Sequence, residues 1–242
     1  GANFTDANLT YADMEGAGVG GANFTNTKMP DPTGADYSGQ DFSGQDLRGR
    51  DFSGAVLIGT DFSGADVSGV DFSGAVASWA DFTGANATGA VFDSAVLTGA
   101  NLTSARLVNA RAEEARFTRA RLEATDFTGA NLAGASILDA YADRAVFRSA
   151  SLASVDLTGS DLGRTTLTGA RMPGVVVSHV DLAGRDLRGA GGGVLTAIGA
   201  NLSGANLSGI TLSGSMLASA DLRGASLTGS TLVFGSLQGA NL

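Results

Sequence analysis

No cysteine occurs in this 242-residue chain, so neither a disulfide framework nor a thiolate metal site can be built. There is one histidine, His179, and it falls in an outward corner position of RMPGVVVSHV, where a lone imidazole is ordinarily solvated. Acyl transfer needs a nucleophile and a base held together, and nothing in the chain pairs with His179. HExxH and the Walker lysine loop are also missing. No run of about 18 apolar residues exists, which excludes a membrane-spanning helix. Only 16% of residues are charged, with a net charge of −9, so the excess of Lys and Arg that direct nucleic-acid binding requires is lacking. No initiator Met or signal peptide is visible. That pattern favours the cytoplasm without fixing the compartment, and a start at Gly1 inside a repeat reads as a fragment. Proline is scarce too, and two of the three prolines, Pro30 and Pro32, share one short stretch.

What is abundant is order. Hydrophobic residues make up 43% of the chain and recur strictly, which argues against disorder despite 36 glycines. From Tyr37 to Leu242 a large apolar residue returns every five positions, giving 42 centres in one frame, 31 of them Leu or Phe. Two positions before the centre, 25 of the 42 residues are Ala. Asp or Asn usually stands between them, and Ser or Thr and then Gly usually follow. Six further centres, Phe4 to Met29, keep an earlier frame. The expected organisation is a first repeat block at 1–29, a loop or seam at 30–36, and a continuous main block at 37–242.

A period of five fits neither regular element. On a helix it precesses, because a face returns after 3.6 residues. On a strand it is odd, so successive centres would change sides. Both conflicts vanish if the chain turns a corner once per unit. Centre and Ala then face inward, Asp or Asn faces out, and Ser-Gly makes the corner, with Gly supplying the unusual φ. A chain that turns regularly one way is an all-β solenoid, each coil bonded to the next about 4.8 Å away.

Tandem A-(D/N)-(L/F)-(S/T)-G units resemble the pentapeptide repeat family. The resemblance implies a right-handed quadrilateral β-helix with four units per coil and a solid core. The 48 centres then make about 12 coils, a rod roughly 55–60 Å long. Sorted at 20 residues per coil, Phe42, Phe62 and Phe82 stack on one face, and Phe52, Phe72 and Phe92 on the opposite one. Phe117, Phe127 and Phe147 use the other pair of faces, so the core repacks between. Ala112, Ala142, Gly192 and Ala197 are poor fillers. A distorted coil is expected near 189–200, where GAGGGVLTAIGA loses its centres and Leu195 is the candidate substitute filler. The GGG at 191–193 reads as that loose coil, not as a phosphate cradle, because no strand–loop–helix context surrounds it. Family members often carry a terminal cap; GANL at the C-terminus is as regular as the middle, so the open ends are candidates for stacking.

The outward carboxylates are the leading functional candidates: Asp41, Asp61 and Asp81 on one face, Asp46 and Asp66 on the next, Asp51 and Asp71 on a third. They are either the family's structural choice at that slot or a DNA-like charge array. Some family members resemble B-form DNA and occupy the DNA-binding saddle of a type II topoisomerase such as DNA gyrase. An arginine belt, Arg106, Arg111, Arg116 and Arg121, interrupts that array with one cation per face. It reads as a solvated band of weak ion pairs or as a docking collar. Trp79 and Phe234 replace Gly at the corner and are candidate contacts. The expectation is a non-enzymatic scaffold or interaction rod without metal or cofactor, which binds a protein partner or itself through its solenoid ends. The alternative is a gyrase-binding DNA mimic.

Overall fold

The structure is a computed structural model that describes residues 2–9, 12, 27, 34–188 and 193–242. The local rule is visible at Asp61–Ala65. The amide of Ala65 donates to the Phe62 carbonyl at 3.0 Å and closes a four-residue turn. Gly64, third in that turn, has φ +63°, while Ser63 before it is not in the left-handed region. That combination is a type II turn, which explains why Gly dominates the slot. Nothing stands within 4 Å of a Cβ placed on Gly64, so backbone conformation and not space selects glycine there.

The remaining backbone groups join coil to coil. Asp61 N–H donates to the Gln40 carbonyl at 2.9 Å, Phe62 N–H to Asp81 at 2.6 Å, and Gly64 N–H to Thr83 at 2.8 Å. Parallel bridges therefore link residues 20 apart, as in Asp41↔Asp61↔Asp81. Four ladders run along the molecule, begun by Asp36, Asp41, Asp46 and Asp51, and give it four sides. Each bridge involves a single residue per coil. A corner every five residues leaves no room for an extended strand, so the β-structure is a stack of isolated bridges and not a sheet of long strands. Residues 34–36 carry the same pattern: Gly34 N–H donates to Ser53 and Asp36 bridges Val56. The rest of the expected 30–36 loop lies outside the described residues, as does most of the 1–29 block, though Phe4 and Leu9 pack against the core.

The interior is filled as the face sorting requires. Phe42, Phe62 and Phe82 stack with centroids 5.5 and 4.8 Å apart, and Phe52, Phe72 and Phe92 with 5.5 and 4.9 Å. Across the core the two columns meet edge to face. Phe127 and Phe147 stack at 5.1 Å in the repacked region. Ala112, Ala142 and Ala197 are buried despite their size, and Leu195 is buried as well. Two of the hydroxyls that enter the Ala slot bond carbonyls of the preceding coil: Thr60 Oγ1 to Tyr37 at 2.8 Å and Thr125 Oγ1 to Leu102 at 2.7 Å. A buried hydroxyl is tolerated there because it has an acceptor.

The ladder is not continuous. No bridge joins Asp161 to Asp181 or Thr166 to Asp186, although all four residues are described. Irregularity thus begins before the expected 189–200 segment, of which 189–192 lie outside the described residues. The Asp156↔Val176↔Thr196 ladder runs through unbroken, and the two interrupted ladders resume at Asp181↔Asn201 and Asp186↔Asn206.

Candidate partner-binding surface

The outer slot of each unit has a structural task. In Asp61–Ala65 the Ser63 amide is the one N–H without a backbone partner, and Asp61 Oδ1 accepts it at 2.8 Å. The same bond joins Ser43 to Asp41, Ser53 to Asp51, Ser73 to Asp71 and Thr83 to Asp81, at 2.8–2.9 Å. Arg48 and Ser68 amides reach Asp46 and Asp66 at 3.2 and 3.0 Å. One oxygen of each carboxylate is therefore committed to its own turn, an arrangement Asn can also supply, as at Asn101 and Asn201. Hydrogen bonding from Ser43 holds the Asp41 carboxyl below the usual range, and that from Arg48 does so for Asp46.

The structure stacks Asp41, Asp61 and Asp81 on one ladder, Asp46 with Asp66, and Asp51 with Asp71. All are exposed or half-buried. The charge is already partly answered: Arg48 chelates Asp46 at 2.6 Å and approaches Asp66 at 3.7 Å, and Asn86 donates to Asp66 at 3.1 Å.

The arginine belt takes one position on each ladder: Arg106, Arg111, Arg116 and Arg121 are all exposed. Arg111 pairs with Asp93, and Arg121 lies 3.6 Å from Glu123. Arg106 and Arg116 have no acidic partner among the described residues. Asp93 also accepts the Glu113 amide at 3.0 Å, serving the turn that Arg111 leaves without its usual acceptor. Phe234 is 95% exposed in the last described coil. His179 lies over Gly199 in the next coil, where a Cβ would come 2.8 Å from its Nδ1. Among the described residues no three His, Asp or Glu side chains gather as a metal cage.

The fourth ladder differs. Beside Asp61, Asp66 and Asp71 on the other three ladders it carries Val56, and Val76 and Val96 follow in succession, while the others pass to Asp81, Asn86 and Val91 and then to Asn101, Arg106 and Arg111. Among the described residues no side chain takes the Ile58, Ser78 or Thr98 amide, so three coils in a row forgo the turn bond. Ile58 is 45% exposed beside this strip. Trp79 is 66% exposed and its ring lies over the next corner: a Cβ on Gly99 would fall 2.5 Å from it. Asp51 and Asp71 border the strip on one side, Asp61 and Asp81 on the other, since their ladders adjoin it in chain order. Sorting centres by face does not reveal this strip. Sorting the outer slot does, because the three valines stand 20 apart.

The family model for pentapeptide repeats matches in eight copies, over residues 1–26, 39–74, 78–111, 113–148, 150–189 and 198–232. The chain belongs to the pentapeptide repeat family. Solved pentapeptide repeat proteins resemble it. HetL, a pentapeptide repeat protein involved in heterocyst differentiation regulation from the cyanobacterium Nostoc sp. strain PCC 7120, is 28% identical over 82% of this chain and 90% of its own, with a TM-score of 0.59. QnrB1, a plasmid-mediated fluoroquinolone resistance protein, is 21% identical over 83% of this chain and 90% of its own, with a TM-score of 0.40. A pentapeptide repeat protein from the Arabidopsis thaliana thylakoid lumen is 32% identical over 54% of this chain and 66% of its own, with a TM-score of 0.22. No curated protein matches in sequence.

Proposed function

We propose that this pentapeptide repeat protein is a non-enzymatic interaction scaffold whose docking face is the strip Val56–Val76–Val96 with Ile58 and Trp79. The carrying observation is that this ladder presents Val in its outer slot, and lacks the turn bond, in three successive coils. A local rule broken repeatedly on one face marks a functional constraint. The strip is apolar and rimmed by Asp51, Asp71, Asp61 and Asp81, so the partner it fits is a protein segment with an apolar centre and basic flanks. The likeness to HetL supports a right-handed four-sided rod of about 12 coils, and HetL's regulatory role is of the kind a scaffold performs. End-to-end association of copies is the assembly mode that the regular repeat allows; light scattering after size-exclusion chromatography tests it, and a monomer removes it.

Synthetic extended peptides with alternating apolar residues and Lys flanks test the face. Binding that Val76→Asp abolishes, and that Arg106→Ala leaves intact, supports it. Equal binding by Val76→Asp removes it.

The stacked Asp41, Asp61 and Asp81 favour a second reading, a DNA-like surface that occupies the cationic saddle of DNA gyrase. Against it stand the neutral valine face, the ion-paired Asp46 and the arginine belt. A gyrase supercoiling assay with purified protein separates the two: no inhibition or protection at micromolar protein eliminates the mimic.

A further inference from the structure

The gap in the ladders coincides with one residue that breaks the repeat. Arg185 occupies the slot before a centre where Ala is usual and where most occupants are fully buried. It stands at the corner between the two faces on which bridges 161–181 and 166–186 are missing, directly above Thr165 in the coil below. A guanidinium cannot fit an Ala-sized position in a close-packed core. The side chain is half-buried and lines the opening left where the two bridges are missing. The bond to the coil above is kept: Asn206 N–H donates to the Arg185 carbonyl at 2.8 Å.

The opening is a solvent-connected slot of about 180 Å³, lined by Thr165–Thr168 and Gly184–Asp186, large enough for several waters. Its lining offers several donors, beside the Thr165 and Asp186 carbonyls that the same missing bonds leave free. Arg185 Nε is buried and bonds nothing, and no carboxylate pairs with the guanidinium among the described residues. The Leu167 and Asp186 amides have lost the ladder acceptors that their counterparts in other coils keep. The Thr165 hydroxyl has turned to its own turn carbonyl, Leu162, at 2.9 Å, unlike Thr60 and Thr125. The one acid in the lining, Asp186, is already chelated by Arg188 at 2.9 and 2.7 Å. Arg50, the other arginine in an Ala slot, donates to the Thr27 carbonyl. Arg185 has no equivalent.

We propose that the slot binds a small oxyanion, with Arg185 as its principal ligand and the freed amides of Leu167 and Asp186 as further donors. A guanidinium with a buried Nε that bonds nothing is costly, and a tetrahedral or carboxylate anion is the chemistry that its planar fork matches. The site is independent of the valine face, about five coils away along the chain order.

Isothermal titration and thermal melts of the full chain with inorganic phosphate, and separately with acetate, at ionic strength matched with NaCl, test this. Saturable stabilisation by phosphate identifies a phosphate-type ligand, and by acetate a carboxylate. Arg185→Ala restores the repeat's own residue. It is expected to fold at least as stably in chloride while weakening the anion at least tenfold. Slower exchange of the Leu167 and Asp186 amides on adding the anion places it in the slot. Stabilisation that never saturates, or that is equal in Arg185→Ala, reflects general salt exclusion and overturns the proposal, as does unchanged exchange at both amides.

Discussion

Phe62 and Phe72 face each other across the core, ring centroids 5.7 Å apart and planes at 80°. Each also stacks on its own column, Phe62 on Phe82 at 4.8 Å and Phe72 on Phe92 at 4.9 Å. Every ring in the middle of these columns thus serves three coils. Phe72→Ala is expected to cost about 3–5 kcal/mol, because neighbouring coils are tied by ladders and cannot collapse into the void. Denaturant unfolding measures it, and a loss below about 1 kcal/mol would show that the coils relax freely.

Asp61 separates a structural carboxylate from a functional one. Asp61→Ala leaves the Ser63 amide without its 2.8 Å acceptor and should cost about 0.5–1.5 kcal/mol. Asp61→Asn keeps an acceptor oxygen and should be near neutral in stability. If the acidic rim recruits a basic partner, Asp61→Asn weakens binding while the melting temperature holds. A large stability loss in Asp61→Asn would mean that charge, not the acceptor, supports the turn.

Gly99 should be irreplaceable for a reason other than its backbone. Its φ is +67°, close to that of Gly64, but Trp79 lies where its Cβ would be. Gly99→Ala must displace the indole. Trp79 is the sole tryptophan, so its emission reports the change directly. Emission should shift in Gly99→Ala and stay constant in Gly64→Ala. Identical spectra in both would show that the ring does not rest on that corner.

Acid should unfold the rod late. Asp41, Asp46, Asp143, Asp186 and Asp221 all have carboxyl pKa values lowered by hydrogen bonds, from Ser43, Arg48, Arg164, Arg188 and Arg223 in turn; that of Asp186 falls to about 2. A carboxyl that titrates lower in the folded than in the unfolded chain contributes its full stability above the unfolded value, and loses it as pH falls through the folded one. The denaturation midpoint should therefore stay level from roughly pH 8 to 5 and fall between about pH 4 and 2. A decline between pH 7 and 5 would contradict these assignments.

Much of the core was legible in the chain because a five-residue unit with Ala, an outward polar residue and Gly admits one economical backbone path. The stacking of Phe42, Phe62 and Phe82 follows from arithmetic once the coil length is 20. The exposure of Trp79 and Phe234 also followed, since the Gly slot is a corner. The acidic slot was legible in position, and the stacking of like charges already pointed to backbone amides or counter-ions as its partners. Only the coordinates show that Asp61 answers the one amide its unit leaves over. The valine strip was in the sequence yet invisible to a reading that tracked centres, because its meaning depends on which outer slots share a ladder.

The sequence by itself determined the period, the corner, the inward set and the family, because these depend on local conformational preference and residue volume within a single unit. Tertiary structure decided what depends on contacts between units 20 residues apart. It placed the indole of Trp79 over Gly99, bordered the valines with carboxylates, and opened the wall at Arg185. That last effect arises because a side chain's fit is set by the coil beneath it, and no single pentapeptide contains that information.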